Sequence, residues 1–320
     1  MHSVQMARVV RRWPLGYSHG ADAALDRPAH VRAGSGLALW RGQLAVVQDD
    51  ALFVALVDLA HLGAGAPAVA ALPLPHGEDG TRQFGGDRPN KHLKPDLESA
   101  VALPDGRLLL LGSGSTGRRQ TWYLVDAAGA EPAVTLVDAS EVYDKIRALP
   151  GALTAELNLE GAALWRDRLW LAQRSNGVAA GDQPRQDALL SMDWQSLLTW
   201  LQGGGPVPTV ELEQQVSLGQ LGGVRLTLTD LCGGGDRLWW LAAAEDSPDA
   251  YQDGAVRGSV LGWLDEAGLH QLDLVDQAGQ PLTSKCEGLA IDPGDARRLW
   301  AVVDCDDWAV AAELLELLVG

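Results

Sequence analysis

The sequence predicts an all-β chain folded as a five-bladed β-propeller with four antiparallel strands per blade. Three observations predict it. Related stretches recur five times along the 320 residues. Each has a short apolar strand, a turn rich in Gly, Asp or Arg, and a second apolar strand ending in polar residues. β-branched and aromatic residues are enriched between the turns, which favours strands over helices. Internal repetition of this kind is the signature of a repeat architecture.

The repeats open at Ser35 ("SGLALWRGQLAVVQDD"), Glu98 ("ESAVALPDGRLLLLGSGS"), Glu160 ("EGAALWRDRLWLAQRSN"), Thr229 ("TDLCGGGDRLWWLAAAED") and Glu287 ("EGLAIDPGDARRLWAVVDCDD"), 58 to 69 residues apart. Third strands follow in "ALFVALVDL", "QTWYLVDAA", "DALLSMDW", "GSVLGWLDEAG" and "AAELLELLV". Fourth strands follow in the first four repeats: "PAVAALPLP", "PAVTLVDA", "VPTVELEQQVSLG" and "LHQLDLVD". Four antiparallel strands per repeat compose a propeller blade. "AAELLELLVG" has helix propensity by composition, and only its place in the repeat makes it a strand. The last blade then lacks a fourth strand, which the N-terminal "ARVVRRWPLG" supplies, hiding a sheet edge. The blades span approximately residues 33–75, 96–138, 158–218, 226–276 and 284–320, with the N-terminal strand at 7–16, in one domain over 1–320. Two smaller β domains are the alternative, but no linker divides the chain. "ASEVYDKIRALPG" reads as a helix capped by Ser140, and "MDWQSLLTWLQGGG" as one ended by Gly203, both inserted between strands. The polar connection from Pro75 to Pro95 is long, and such loops are often functional.

Composition narrows the function. Hydrophobic residues make up 47% and charged residues 21%, as in a globular chain. The net charge of −17 has the wrong sign for coating nucleic acid or anionic membrane and is compatible with binding a cation. No stretch approaches the ~20 apolar residues that span a bilayer. The N-terminus has no apolar run of signal-peptide length, so the cytoplasm is the expected compartment. Cys232, Cys286 and Cys305 cannot all pair and lack zinc spacing, so they read as core residues. "GSGSTG" at 112–117 matches a dinucleotide-loop spacing, but the "RRQTWYLV" after it reads as a strand rather than the required helix. The seven histidines show no metal spacing, and the tryptophans recur on blade strands, where they pack blades together.

Aligning the repeats on their first strands, which line the channel of a propeller, makes Ser35, Glu98, Glu160, Thr229 and Glu287 equivalent. Five oxygen-bearing side chains then face one axis. Three ionised carboxylates in a narrow channel repel one another, so some take up protons unless a cation sits between them. Calcium accepts ~6–8 oxygens at flexible angles, whereas magnesium asks for an octahedron that a five-fold ring does not offer. The cysteine nearest the ring, Cys286, points the other way along its strand, which disfavours zinc. The alternative is that these side chains hydrogen-bond backbone groups or channel water.

The ring resembles that of the soluble calcium-activated nucleotidases (apyrases), whose inner residues run serine, glutamate, glutamate, serine, glutamate by blade. Here Thr229 stands for the second serine. "GQLAVVQDD", "LPDGRLLLLGSGS" and "TLTDLCGGGDRLWWLAAAED" are similar too, and the resemblance runs from Ser35 to Asp307. It implies a five-bladed propeller with a calcium ion (Ca2+) in its channel. Phytase-like and esterase-like bacterial propellers share the Glu-Gly-Leu-Ala style of blade opening. Asp49-Asp50 is followed by "ALFV" where the nucleotidases have Arg-Thr-Gly, and "GSTGRRQTW" replaces their Gly-Lys-Glu-Trp. These departures detach nucleotide specificity from what the resemblance implies.

Strand order puts a second group at the same mouth: Asp49, Asp50, Ser113, Ser115, Arg118, Arg119, Arg174, Glu245, Asp246, Asp304 and Asp306. The loops leading into the first strands add Arg82, Arg88, Lys91, Lys94 and Lys285. Arginine forks and lysine point charges suit phosphate or carboxylate oxygens. The expected ligand is a small anion, phosphorylated or otherwise, held by Lys91, Lys94, Arg118, Arg174 and Lys285. A dication beneath it would polarise a phosphoryl oxygen, with Asp49 or Asp304 orienting water, giving metal-assisted ester or anhydride hydrolysis. The alternative is a non-catalytic propeller whose calcium pins the inner strands while the mouth binds a ligand or protein partner.

Overall fold

Short turns of defined hand set the strands. Arg166 and Asp167 both have positive φ, 50° and 57°, between Trp165 and Arg168. That is the backbone a two-residue hairpin needs to match the strands' twist. The computed structural model describes residues 6–63, 65–129, 131–176, 185–246 and 254–320.

Strand β1 (Met6–Pro14) precedes an antiparallel sheet of β2 (Gly34–Trp40), β3 (Gln43–Gln48), β4 (Phe53–Asp58) and β5 (Val69–Pro73). A second sheet holds β6 (Leu97–Ala102), β7 (Leu108–Gly112), β8 (Thr121–Asp126) and β9 (Ala133–Asp138). A third holds β10 (Leu159–Trp165), β11 (Arg168–Gln173), β12 (Asp187–Asp193) and β13 (Glu211–Val216). Then come β14 (Gln220–Leu221), β15 (Val224–Gly234), β16 (Arg237–Asp246), β17 (Ala255–Asp265) and β18 (Gly268–Val275). The chain ends in β19 (Lys285–Ile291), β20 (Arg298–Asp304) and β21 (Glu313–Val319). These last eight strands and β1 form one nine-stranded sheet, ordered β14-β15-β16-β17-β18-β1-β21-β20-β19. Within it β1 pairs antiparallel with β21 along most of its length, and parallel with β18 only through Met6, Ala7 and Arg8. Glu313–Val319 is a strand because it has partners on both sides, β20 and β1, which override its helix propensity.

The first strands close a ring. β2 lies against β6, β6 against β10, β10 against β15, β15 against β19, and β19 against β2. Absence of a side chain permits the closest approaches. A Cβ on Gly161 would lie 2.7 Å from Asp230 Cα, and one on Gly288 would lie 2.8 Å from the Leu37 nitrogen. Around the ring the apolar faces meet in five clusters. Examples are Trp40 with Leu108 and Tyr123, Leu109 and Trp122 with Leu169, and Trp170 with Leu228 and Trp240. Leu241 with Leu299, and Trp300 and Leu314 with Leu44, complete the set.

Helix α1 (Ser140–Ala148) begins one residue earlier than the sequence suggests. Ala139 holds the cap position, and the carboxylate of Asp138 accepts from the Ser140 N–H, so Ser140 is the first helical residue rather than the cap. Helix α2 (Trp194–Leu201) is capped by Asp193, which accepts from Ser196 N–H, and Gly203 follows with φ 78°. After "GSGSTG" a single short turn leads into β8, so no dinucleotide helix opens there. Among the described residues no helix is long and apolar enough to cross a membrane.

Candidate functional site

The five aligned residues share a local geometry. Each first strand carries a β-bulge against its second strand, at Gly34/Gly36, Leu97/Ser99, Leu159/Gly161, Leu228/Asp230 and Cys286/Gly288. The residue left out of the pairing is Ser35, Glu98, Glu160, Thr229 or Glu287 in turn. A bulge re-aims a side chain and is a recurrent device beside functional sites. All five are buried.

Their partners divide them. Ser35 Oγ donates to the Leu97 carbonyl at 2.5 Å, and Thr229 Oγ1 donates to the Cys286 carbonyl at 2.8 Å. These hydroxyls tie neighbouring first strands together. The three glutamates line a cavity of about 610 Å3, which Ser35 and Thr229 do not reach. Ten carboxylates and six lysine or arginine side chains line it, so its formal charge is negative.

Glu160 accepts from Asn158 Nδ2 at 2.5 Å and lies 3.3 Å from Arg174. Arg174 also reaches Glu245 at 2.8 Å and donates from Nε to Thr227 Oγ1 at 2.9 Å. The Lys285 ammonium sits among Glu287 at 2.9 Å, Asp306 at 3.1 Å and Glu245 at 3.5 Å. Lys94 bridges Asp49 at 2.5 Å and Asp96 at 2.8 Å, and Asp96 also holds Arg119 at 2.7 Å. Glu98 differs from all of these. It is only 8% exposed, yet among the described residues no hydrogen bond or ion pair reaches its carboxylate.

The electrostatics follow from burial. Removal from water, with Asp96, Glu160 and Asp49 nearby, pushes the Glu98 carboxyl well above its usual range. Glu287 is pushed the same way by burial, with Asp304 and Glu160 adding to it against Lys285. Glu160 is raised by burial against the pull of Arg174 and Lys285. Burial and the nearby Asp49 carry Asp50 up to about 7; burial, with Asp49 and Asp306, carries Asp304 up to about 8. Burial opposes ionisation of Asp96 too, but Lys94 and Arg119 outweigh it and hold that carboxyl low.

Of the expected anion-binding residues, Lys91, Lys94, Arg174 and Lys285 line the cavity, and so do Asp49 and Asp304. Arg118 does not. It turns outward to an exposed ion pair with Glu78, and its neighbour Arg119 enters the cavity instead. Lys94, Arg174 and Lys285 are engaged by carboxylates, so they serve as internal counter-ions. Lys91 has no ion pair among the described residues. Arg82 and Arg88 build the long loop: Arg82 donates to the Leu74 and Leu25 carbonyls, and Arg88 pairs with Asp26 at 2.7 Å. That loop forms one wall through Phe84, Gly85, Lys91, His92 and Lys94. Sequence reasoning missed Asp96 and Asn158, each two residues before a ring glutamate. Both lie just before their strands, Asp96 with a left-handed φ of 59°, so strand alternation does not reach them, and their shared place two residues before a repeat opening was the one signal.

No curated protein matches the chain. Among solved structures, glutaminyl cyclase from Myxococcus xanthus is similar at 14% identity and TM-score 0.45, with 100% of each chain covered. The PQQ-bound aldose sugar dehydrogenase from Streptomyces coelicolor is similar at 16% identity and TM-score 0.45, covering 99% of this chain and 98% of the other. This chain's own strand order defines its fold. The resemblance to the nucleotidases stands on the ring residues and their flanking stretches, and none of these matches adds to it. Residues 30–319 match DUF6929, described as a family of unknown function, and the chain belongs to that family.

Proposed function

We propose that residues 1–320 form one five-bladed β-propeller that binds a divalent cation, calcium by the chemistry of its donors, at the channel mouth. Five apolar clusters and a closed ring of five first strands support five blades. In this reading the nine-stranded sheet is two blades joined where β1 touches β18. The fit of the cation rests on Glu98: a buried carboxylate with no partner, facing a cavity in which carboxylates outnumber cations. Leaving such a group ionised and unpaired is costly, and a cation at the site removes the cost.

We further propose hydrolysis of a small phosphate ester or anhydride, or a related anionic ester. The bound cation supplies polarisation of the ligand's oxygen and charge to offset that of the cavity. Lys91 meets the anionic group. Burial raises the Asp304 carboxyl to about 8, so its protonated form dominates at neutrality, and the ionised fraction that grows as pH approaches 8 takes the proton from an attacking water. Asp49, expected from sequence to share that role, is tied to Lys94. A non-catalytic reading is favoured by a different observation. Arg174 and Lys285 already neutralise Glu160 and Glu287, which organises the inner strands without chemistry.

The test is turnover of nucleotides, phosphate esters and carboxylic esters with calcium, set against Glu98→Gln. Calcium-dependent turnover lost in the variant supports the hydrolase. Turnover equal in both proteins shows hydrolysis that does not use the Glu98 carboxylate and overturns this site, and turnover in neither leaves the binding role alone.

A further inference from the structure

We infer that the cation sits off the channel axis, on Asp49, Asp96 and Glu98, and takes the place held by the Lys94 ammonium. The inference rests on the cation-binding reading above and names its ligands. One oxygen from each of these three carboxylates lies within 4.8 Å of the other two. Two calcium–oxygen bonds of roughly 2.3–2.6 Å span the separation of any two of them, and a shift of a few tenths of an ångström brings the third into reach of the same ion. Glu98 is the member with no partner of its own, more than nine-tenths buried and facing the cavity.

Charge explains the exchange. When all three are ionised, Asp49, Asp96 and Glu98 bring three negative charges, against which stand Lys94 and Arg119. One negative charge is left over. With a dication in place of the ammonium, and Arg119 retained, the cluster is neutral. Lys94 can leave because its charge is a single point on a flexible four-carbon stem beside an open cavity, whereas a guanidinium fork is held at several atoms. Arg174 illustrates the latter, bound to Glu160, Glu245 and Thr227 at once. The Lys285 ammonium contacts three carboxylates, against two for Lys94, which makes Lys94 the more readily displaced. The ring residues Glu160 and Glu287 therefore keep their own counter-ions and contribute little to the ion.

The experiment is calorimetric titration of the chelator-treated full-length protein with calcium alone. Lys94→Met removes the competitor, and calcium should bind about tenfold more tightly or better. Asp49→Asn and Asp96→Asn should weaken binding by about tenfold or more, while Glu160→Gln and Glu287→Gln stay within about threefold of wild type. Asp96 also accepts from Ser113, so its variant risks misfolding. The more exposed Asp49 and the Lys94→Met gain carry the test without it. Calcium binding that survives Asp49→Asn and is abolished by Glu160→Gln or Glu287→Gln overturns this seat while leaving cation binding intact. Lys94→Met binding no more tightly than wild type overturns the exchange. Absence of calcium binding in every protein overturns both readings.

Discussion

Replacing Gly161 with alanine perturbs the inner ring at a place where the structure allows the cost to be worked out. The new Cβ would lie 2.7 Å from Asp230 Cα and from the Leu231 nitrogen, and 2.8 Å from the Asp230 carbonyl carbon. Carbon atoms rest at roughly 3.5–4.0 Å, so β15 would have to retreat by about 1 Å. The obstacle is backbone, which cannot rotate away as a side chain can. Retreat also strains Asp230, whose carboxylate accepts from Leu231 N–H at 2.8 Å and from Leu289 N–H on the next first strand at 2.7 Å. Overpacking of this kind costs about 1–3 kcal/mol, and the backbone contact argues for the upper half. Loss of glycine's freedom in the unfolded chain offsets about 0.4–1 kcal/mol of it. The net expectation is destabilisation of about 2 kcal/mol, read from the urea midpoint by tryptophan fluorescence. Gly117→Ala, where an added Cβ meets nothing within 4 Å, is the control and should lose no stability, gaining up to about 1 kcal/mol. Equal stability of the Gly161 variant and wild type would refute the reasoning, and so would equal losses in both variants.

Three further outcomes follow from the same geometry. In calcium-free buffer Glu98→Gln should be at least as stable as wild type, because it replaces a buried carboxyl whose ionisation burial disfavours with a neutral amide; a loss above about 1 kcal/mol would show that the carboxylate has a structural partner. Arg174→Met should cost about 3–5 kcal/mol by stranding Glu160 and Glu245, measured by the same unfolding midpoint. For pH, the carboxyls of Asp50 and Asp304 are raised in the folded state to about 7 and about 8, so they hold protons there that the unfolded chain has released. Calcium-free stability should therefore fall as pH rises from about 4 to about 8, and saturating calcium should flatten that slope; the Tm measured across that range with and without calcium checks it.

The repeat pattern made the ring of first strands legible because each repeat sets its first strand against those of its neighbours whatever its surface residues are. Alignment of five stretches found all five bulged residues, though nothing local to Ser35 or Glu160 announces a bulge. The N-terminal closure was legible too, since only an unpaired edge after "AAELLELLV" called for another strand. The charges around the ring were harder. Arg118 and Arg119 are adjacent and chemically alike, and which one enters the cavity is decided by a short turn over Gly117–Arg119 that buries Arg119 and leaves its neighbour outside. Lys94, Arg174 and Lys285 read as anion binders because sequence shows their charge but not the carboxylates folded against them. Asp96 was hidden by its place just before the apolar run, where a strand-start aspartate is ordinarily solvated.

Cation binding at Glu98 is tested most directly by a crystal grown in calcium and measured for anomalous scattering. A peak at roughly 2.3–2.6 Å from a Glu98 carboxylate oxygen is the expected result. Density fitting only water beside Glu98, at calcium concentrations that saturate ordinary calcium sites, would contradict it.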